Sequence, residues 1–217
     1  MGKYKNQYLG TIGDIGAFSF HETKNLVGGQ CGAISVNNLT FKKKVKIILD
    51  KGTDRSLINN KKKYYSWCGI GSEYRATELS AALLFGQLAK LKKIQNLREK
   101  IWNKYSKTFS KISNKNVYIL KNKHKFKRSA YHVFALIFRN IKLRDNFISF
   151  MKKKGIDCYF HYYPLHMSKF GKKIQKIKLQ ETEKIYNGLV RLPLYPSLKN
   201  NEVNKVIKNT NIFLSNI

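Results

Sequence analysis

The chain reads Gly16-Ala17-Phe18-Ser19-Phe20-His21-Glu22-Thr23-Lys24-Asn25 near its start and continues, after two apolar residues, with Gly28-Gly29-Gln30-Cys31-Gly32-Ala33. Lys24 therefore lies between an apolar, strand-like segment and a glycine turn. A lysine that attacks a carbonyl carbon must be neutral, and a water-poor pocket favours the neutral form because desolvation disfavours the ammonium. Ser19 offers a hydroxyl to a phosphate group, and the glycines let backbone approach a bulky ligand. The pattern predicts covalent chemistry at Lys24, with a solvated surface charge as the alternative.

Residues 19–33 resemble the cofactor-lysine segment of the DegT/DnrJ/StrS family of sugar aminotransferases, where a Ser-Phe-x-x-x-Lys-Asn run precedes a glycine-rich turn and an apolar strand. Further runs keep the family's order and approximate spacing: Lys51-Gly52-Thr53-Asp54-Arg55-Ser56, Tyr65-Ser66-Trp67, Gly69-Ile70-Gly71-Ser72-Glu73-Tyr74 and Thr77-Glu78-Leu79-Ser80-Ala81-Ala82-Leu83. The resemblance implies pyridoxal 5'-phosphate as cofactor, bound by Ser19 and Lys24, with Lys24 as the catalytic residue. It also implies amino-group transfer from glutamate to a dTDP-4-keto-6-deoxyhexose for surface polysaccharide biosynthesis.

The fold implied by this resemblance is α/β, namely the C-terminal part of a fold-type I pyridoxal-phosphate-dependent transferase. We expect a partial large domain with a bridging helix in residues 1–110 and a small C-terminal domain in residues 111–217. In the family the cofactor lysine lies near mid-chain, whereas Lys24 lies near the start of this sequence. The acid that keeps the cofactor ring nitrogen protonated is therefore expected outside this chain. A homodimer or a complementary N-terminal fragment is the partner that the resemblance implies.

A second segment, residues 157–166, resembles the His-Tyr-x-Pro-Leu-His run that lies near the family's active-site entrance. His161 and His166 are therefore candidates for contact with the sugar nucleotide. The alternative is that Pro164 shapes a turn while both histidines are partly buried hydrogen-bonding groups. No acidic or cysteine ligand completes a metal set with these histidines, so the sequence predicts no metal site.

Three residues depart from the family pattern. Cys31 stands where the family usually has glycine, and Gln30 stands where it often has glutamate. A side chain at Cys31 would obstruct the turn if that residue needed a positive φ. Glu73 occupies a position that is commonly Asn or Ser and that contacts phosphate across the dimer. A carboxylate there would repel the phosphate unless a cation intervened.

Charge gives a separate indication. The chain has 43 Lys and Arg against 12 Asp and Glu, a formal net charge of +31. Such a charge favours polyanions, but the lysines are spread along the chain and outnumber the arginines that read nucleic acid bases. Drift toward AT-rich codons explains the composition without a selected function, so we expect no specific nucleic-acid partner. The alternative is a non-catalytic basic remnant that binds polyanions nonspecifically.

Other bulk properties favour a cytoplasmic protein without a membrane partner. No apolar stretch has the length of a membrane span, and the first residues lack the apolar core of a secretion signal. Cys31, Cys68 and Cys158 are scattered and odd in number, which indicates reduced thiols rather than a disulfide framework.

Periodicity predicts the local structure. We expect short strands within residues 11–37, followed by a sequence of further elements: a basic helix over 41–49, one long helix over 77–109, strands over 117–120 and 131–138, a helix over 145–154 ended by Gly155, a strand over 156–163 and an amphipathic helix over 202–214.

Overall fold

Short antiparallel strands and helices alternate along the chain. The computed structural model describes residues 2–58, 64–112, 114–119 and 129–217. These residues form two compact units. The first runs to Lys93 and includes Ser129 and Ala130, and the second contains the remaining residues from Ile94 to Ile217.

The first unit is built from two small hairpins and two helices. Strand β3 pairs with β4 in antiparallel register from Ile15 opposite Val36 to Ser19 opposite Gly32. Thr77 begins the second helix, because its side chain accepts a hydrogen bond from the backbone N–H of Ser80. The elements are β1 (Lys3–Tyr4), β2 (Gln7–Tyr8), β3 (Ile15–Ser19), β4 (Gly32–Val36), α1 (Lys42–Leu49) and α2 (Glu78–Ala89).

Helix α2 is apolar on all sides, yet it has no buried residue. Leu79 is 86% exposed and Phe85 is 76% exposed. A helix that is hydrophobic all round is normally buried, because one apolar stripe is enough to attach a helix to a core. Within the described part of this unit, only Phe20 and Leu26 belong to the buried apolar side chains. The first unit therefore has a small core and a large apolar surface.

The single helix expected over residues 77–109 is wrong. The structure has α2 and a separate α3 (Leu91–Phe109), with a break at Lys90. The backbone N–H of Lys90 donates to the carbonyls of Gln87 and Leu88. These tighter bonds replace the i→i−4 bond to Gly86 that a continuous helix requires at this residue, so the ladder ends there. The division between the two units falls within α3, between Lys93 and Ile94.

The second unit packs helices around a three-stranded antiparallel sheet. Its strands lie in the order β5-β6-β7, so β6 is central. Asn140 begins α4 by accepting a hydrogen bond from the backbone N–H of Leu143, and Gly155 follows that helix at a φ of 67°. The elements are β5 (Val117–Ile119), β6 (Phe134–Phe138), α4 (Ile141–Lys153), α5 (Gly171–Ile174), α6 (Gln180–Gly188), β7 (Leu189–Leu192) and α7 (Asn200–Ser215).

Aromatic side chains fill the core of this second unit. Phe138 of β6 contacts Phe147 of α4 with ring centroids 5.0 Å apart, and Phe147 lies 5.2 Å from Phe213 of α7. On the same strand, Phe134 lies 5.4 Å from Tyr105 of α3. Such offset and edge-to-face pairs add to the stabilisation that burial of the rings provides. The sheet is therefore held to three helices by one hydrophobic core to which these rings belong.

Several predicted elements are confirmed with shifted ends. The basic helix and the C-terminal amphipathic helix are present as α1 and α7, and strands occur within residues 11–37 as β3 and β4. The helix expected from residue 145 begins earlier, at Ile141. The strand expected over residues 117–120 is present as β5, and Leu120 lies outside the described residues.

Two strand predictions fail at particular residues. The strand expected from Tyr131 begins only at Phe134, because Tyr131 has a φ of 46° and directs its hydroxyl to Glu99. The strand expected over residues 156–163 is wrong. Within that segment only Tyr159 pairs with a strand, through a single bridge to Arg191.

Replacement of Phe147 by alanine tests the aromatic core. Phe147→Ala removes a ring that is 0% exposed. We expect it to lower the opening free energy of the β6 amides by about 3–5 kcal/mol, because a cavity replaces the ring. Hydrogen exchange of those amides measures the effect. Phe170→Ala is the control, since that ring is 71% exposed, and an equal loss in both variants would contradict the assignment.

Candidate active site

A closed turn at the end of the β3–β4 hairpin carries Lys24. Beyond the last strand pair, the N–H of Phe20 donates to the carbonyl of Cys31 at 2.9 Å, and the N–H of Gly28 donates to the carbonyl of Phe20 at 2.8 Å. Phe20 and Leu26 are buried on either side of the turn. The N–H of Lys24 donates to the carbonyl of His21 at 2.9 Å, so the backbone position of the lysine is fixed.

The side chain of Lys24 is exposed. The water-poor pocket that the sequence predicts around it is therefore not formed by the described residues of this unit. The next residue is held more firmly, because Asn25 Nδ2 donates to the carbonyl of Ala130 at 2.6 Å. The structure thus presents Lys24 on an anchored turn, and its desolvation requires further atoms around it.

Ser19 lines a cavity of about 460 Å³ at the base of this turn. His21, Cys31 and Gly32 line the same cavity, together with residues 73–76. The backbone N–H of His21 lies 3.5 Å from Ser19 Oγ. Ser19, which carries a hydroxyl, and Arg75, which carries a guanidinium, therefore line the same cavity, a combination that suits a phosphate group.

Two ion pairs set the charge beside this cavity. Arg75 Nη2 donates to Asp50 Oδ2 at 2.6 Å, and this hydrogen bond holds the pKa of the Asp50 carboxyl below its ordinary value. Lys51 Nζ lies 2.8 Å from Glu73 Oε2, and that contact lowers the pKa of Glu73. Lys51 therefore provides the positive charge that Glu73 needs beside it if Glu73 is to lie near a phosphate. No short-range pattern reveals the Asp50–Arg75 pair, because its members are 25 residues apart.

The cysteine in the glycine turn does not strain it. Cys31 is not among the described non-glycine residues with positive φ, and the left-handed position of the turn falls on Gly29, at a φ of 76°. Cys31 Sγ donates to the carbonyl of Gly28 at 3.2 Å. The obstruction considered for Cys31 is therefore absent from the described turn.

His166 and His161 lie in the second unit and have different surroundings. His166 Nε2 lies 3.1 Å from Glu183 Oε1, and the His166 side chain is 10% exposed. The backbone N–H of Leu179 donates to the same carboxylate oxygen at 3.1 Å. The structure therefore gives His166 the partly buried, hydrogen-bonding environment of the alternative interpretation. The role of His166 in substrate contact stays a prediction.

His161 lies beside an arginine that the sequence analysis gave no role at the site. Arg191 Nη1 lies 2.9 Å from His161 Nδ1. The imidazole also stacks between the rings of Tyr159 and Tyr162, with centroids 5.5 Å and 4.7 Å away. Burial and the positive charge of Arg191 lower the pKa of His161. His161 is thus held in a defined orientation.

Among residues 2–58, 64–112, 114–119 and 129–217, no three His, Cys, Asp or Glu side chains cluster in a way that could hold a metal ion. In that same part of the chain, every helix is too short or too polar to cross a bilayer.

Comparison with known families identifies the chain. The profile of the DegT/DnrJ/EryC1/StrS aminotransferase family matches residues 2–211. The chain belongs to this family. Members of the DegT/DnrJ/EryC1/StrS family are aminotransferases, so the resemblance found in the lysine segment is confirmed.

Two curated relatives illustrate the family. The GDP-perosamine synthase of Escherichia coli O157:H7 is 28% identical over 217 residues, covering 98% of this chain and 55% of that enzyme. The UDP-4-amino-4,6-dideoxy-N-acetyl-beta-L-altrosamine transaminase of Campylobacter jejuni serotype O:23/36 is 27% identical over 212 residues, covering 96% of this chain and 54% of that enzyme. The chain therefore spans about half the length of these relatives.

A solved structure confirms the fold. The aminotransferase TlmJ of Streptoalloteichus hindustanus superposes with a TM-score of 0.86 at 20% identity, covering 99% of this chain and 56% of that one. The expected fold class, part of the α/β fold of pyridoxal-phosphate-dependent aminotransferases, is confirmed. Pyridoxal phosphate is the cofactor that membership of the DegT/DnrJ/EryC1/StrS family indicates. The domains expected at 1–110 and 111–217 stay a prediction.

Acidification tests whether the hydrogen bond between His166 and Glu183 stabilises α6. The hydrogen bonds from His166 and Leu179 hold the pKa of Glu183 below its ordinary value of 4.5. A carboxyl group whose pKa is lowered by folding stabilises the folded state at pH values above its ordinary pKa. This stabilisation is lost as the pH falls through the lowered pKa. We expect Glu183→Gln to reduce the hydrogen-exchange protection of α6 at pH 7. In the unmodified chain this protection should fall when the pH drops below about 4.5, whereas in Glu183→Gln it should not fall further.

Glu181→Gln is the matched control, because the Glu181 side chain is 84% exposed. Its protection should follow that of the unmodified chain at every pH. If both variants lose the same protection, the hydrogen bond between His166 and Glu183 does not stabilise α6.

Proposed function

We propose that the chain supplies the cofactor lysine and the phosphate-binding wall of a pyridoxal-phosphate-dependent nucleotide-sugar aminotransferase. One observation carries the proposal. Lys24 is anchored on a closed turn, three residues beyond His21, which lines a cavity with Ser19 and Arg75. This arrangement lies within the family match over residues 2–211.

The cavity fits the phosphate end of the cofactor. Ser19 offers a hydroxyl donor, and Arg75 offers a guanidinium whose orientation Asp50 restrains. Charge-assisted hydrogen bonds from such donors bind phosphate oxygens strongly. Lys51 offsets the charge of Glu73, so the wall does not present an isolated carboxylate. Ser19 and Arg75 would hold the phosphate, while Lys24 would attach covalently to the carbonyl carbon.

The chemistry divides between the cofactor and the protein. When bound, pyridoxal phosphate supplies an electron sink that stabilises negative charge on the carbon next to the reacting nitrogen. Lys24 Nζ, once released from the covalent attachment, would carry a proton between that carbon and the cofactor in each half-reaction. This role needs a neutral amine, so the exposed Lys24 turn must be desolvated in the working enzyme.

The names of two relatives support the substrate class that we propose. Their names refer to a GDP-linked and a UDP-linked amino sugar. We propose a nucleotide sugar with a keto group as acceptor, more specifically a dTDP-4-keto-6-deoxyhexose, and glutamate as amino donor. A second copy of the chain or a complementary N-terminal fragment would contribute the groups that surround the cofactor ring.

Borohydride trapping tests the role of Lys24. The chain is incubated with pyridoxal phosphate, reduced, digested and mapped by mass spectrometry. We expect the label on the Lys24 peptide, because its anchored position beside the phosphate cavity raises the effective concentration of the carbonyl. Lys24→Arg should abolish this label, whereas Lys44→Arg, at an exposed position on α1, should leave it unchanged.

The same variants separate the proposal from its alternatives. Labelling that is spread over many lysines and survives in Lys24→Arg would contradict a cofactor role for Lys24. Conversion of the cofactor to its amine form by glutamate in Lys24→Arg would contradict the catalytic role. Sugar-nucleotide binding without conversion in either protein would indicate a binding module. DNA binding that ignores sequence and weakens steeply with salt would instead support a basic remnant.

A further inference from the structure

The backbone of Arg191 is fixed from two sides. In β7 it lies opposite Ala135 of the central strand β6. On the other edge its N–H donates to the carbonyl of Tyr159 at 2.7 Å, and the N–H of Tyr159 donates to the carbonyl of Arg191 at 3.3 Å. Strand β7 therefore places Arg191 between β6 and the segment that carries His161.

The aromatic stack restrains the imidazole of His161. Tyr159 and His161 are two residues apart in the chain, and their ring centroids lie 5.5 Å apart. Their rings are parallel within 4°. Tyr162 stacks on the imidazole at 18°, and the guanidinium of Arg191 lies 5.9 Å from the Tyr162 ring. Rotation of the imidazole would break both stacks.

The contact with Arg191 determines which nitrogen of His161 carries the proton. A guanidinium has donors but no acceptor, so at 2.9 Å from Arg191 Nη1 the imidazole Nδ1 must accept. The proton of the neutral ring is then on Nε2. Burial and the charge of Arg191 lower the pKa of His161, which favours this neutral ring at pH 7.

The donor nitrogen is available to a ligand. No described residue hydrogen-bonds to His161 Nε2. His161 also lines a cavity of about 550 Å³, whose other walls come from α4 and from residues 157–163. A cavity of this size accommodates a small organic ligand.

We propose that His161 Nε2 is a neutral hydrogen-bond donor to an acceptor oxygen of the nucleotide sugar, and that Arg191 is the positioning residue that keeps the proton on Nε2. The inference rests on the proposed function, since it names a contact to that substrate. It also assigns His161 a binding role and excludes it as the base that removes a proton, because its acceptor nitrogen is already engaged by Arg191.

Nitrogen NMR of the histidine side chains tests the tautomer without any ligand. In the full chain at pH 7.5 we expect the His161 ring to be fixed with hydrogen on Nε2. In Arg191→Met the two ring nitrogens should exchange the proton and give averaged shifts, whereas Arg191→Lys retains a donor and should preserve part of the preference. Hydrogen on Nδ1, or an unchanged His161 spectrum in Arg191→Met, would overturn the role of Arg191.

Amide substitutions test the contact with substrate. The glutamine amide nitrogen reaches approximately the place of Nε2, and the asparagine amide nitrogen reaches that of Nδ1. With dTDP-glucose as the probe, a nucleotide sugar of the proposed class, we expect His161→Gln to bind as the unmodified chain does and His161→Asn to bind about three- to tenfold more weakly. Equal affinities in the two variants would overturn the donor role.

The probe separates this inference from the proposed function. A shift of the His161 signals on addition of dTDP-glucose supports both. Shifts elsewhere in the chain with none at His161 overturn the donor role and leave the proposed function intact. If no signal in the chain shifts, the proposed function fails for this chain and the substrate contact fails with it, whereas the ligand-free tautomer still reports on Arg191.

Discussion

The central strand β6 is the constraint on which the second unit depends. It is the only described strand that pairs with another strand along both edges, and most of its side chains are buried. Phe134 and Phe138 use this position to contact rings from three helices. Since the backbone and both faces of β6 are fixed, the strands beside it are fixed in register. This register also fixes the place of Arg191 on β7, and Arg191 in turn contacts His161.

The two candidate segments are positioned by different physical means. Lys24 is held by main-chain hydrogen bonds that close a turn, with Phe20 and Leu26 as apolar anchors. His161 is held by ring stacking and by a charged neighbour on a sheet strand. The first arrangement leaves a long side chain free to reach and react. The second immobilises a short one, which suits recognition better than proton transfer.

The sequence predicts a chemical role for Lys24, which stays a prediction, but it does not predict the exposed surroundings of that side chain. A short motif identifies the lysine because strand, turn and glycines are contiguous in the chain. Asp50 and Glu183 are different, because they act on Arg75 and His166 from 25 and 17 residues away. Helix α6 was missed because Ile185 and Tyr186 are its only large apolar residues, too few to establish a helical period in the sequence. The segment around Tyr159 alternates like a strand, yet its rings pack on their neighbours and only one residue joins the sheet.

The exposed apolar surface of α2 also has a consequence for cooperativity. Apart from Phe20 and Leu26, the buried apolar side chains of the described chain belong to the second unit. Burial of apolar surface supplies most of the free energy that opposes chain entropy, so the two units differ greatly in intrinsic stability. An all-or-none transition requires the whole chain to lose its structure together. We therefore expect the first unit to unfold at a lower temperature than the second, so that calorimetry of this chain resolves two transitions.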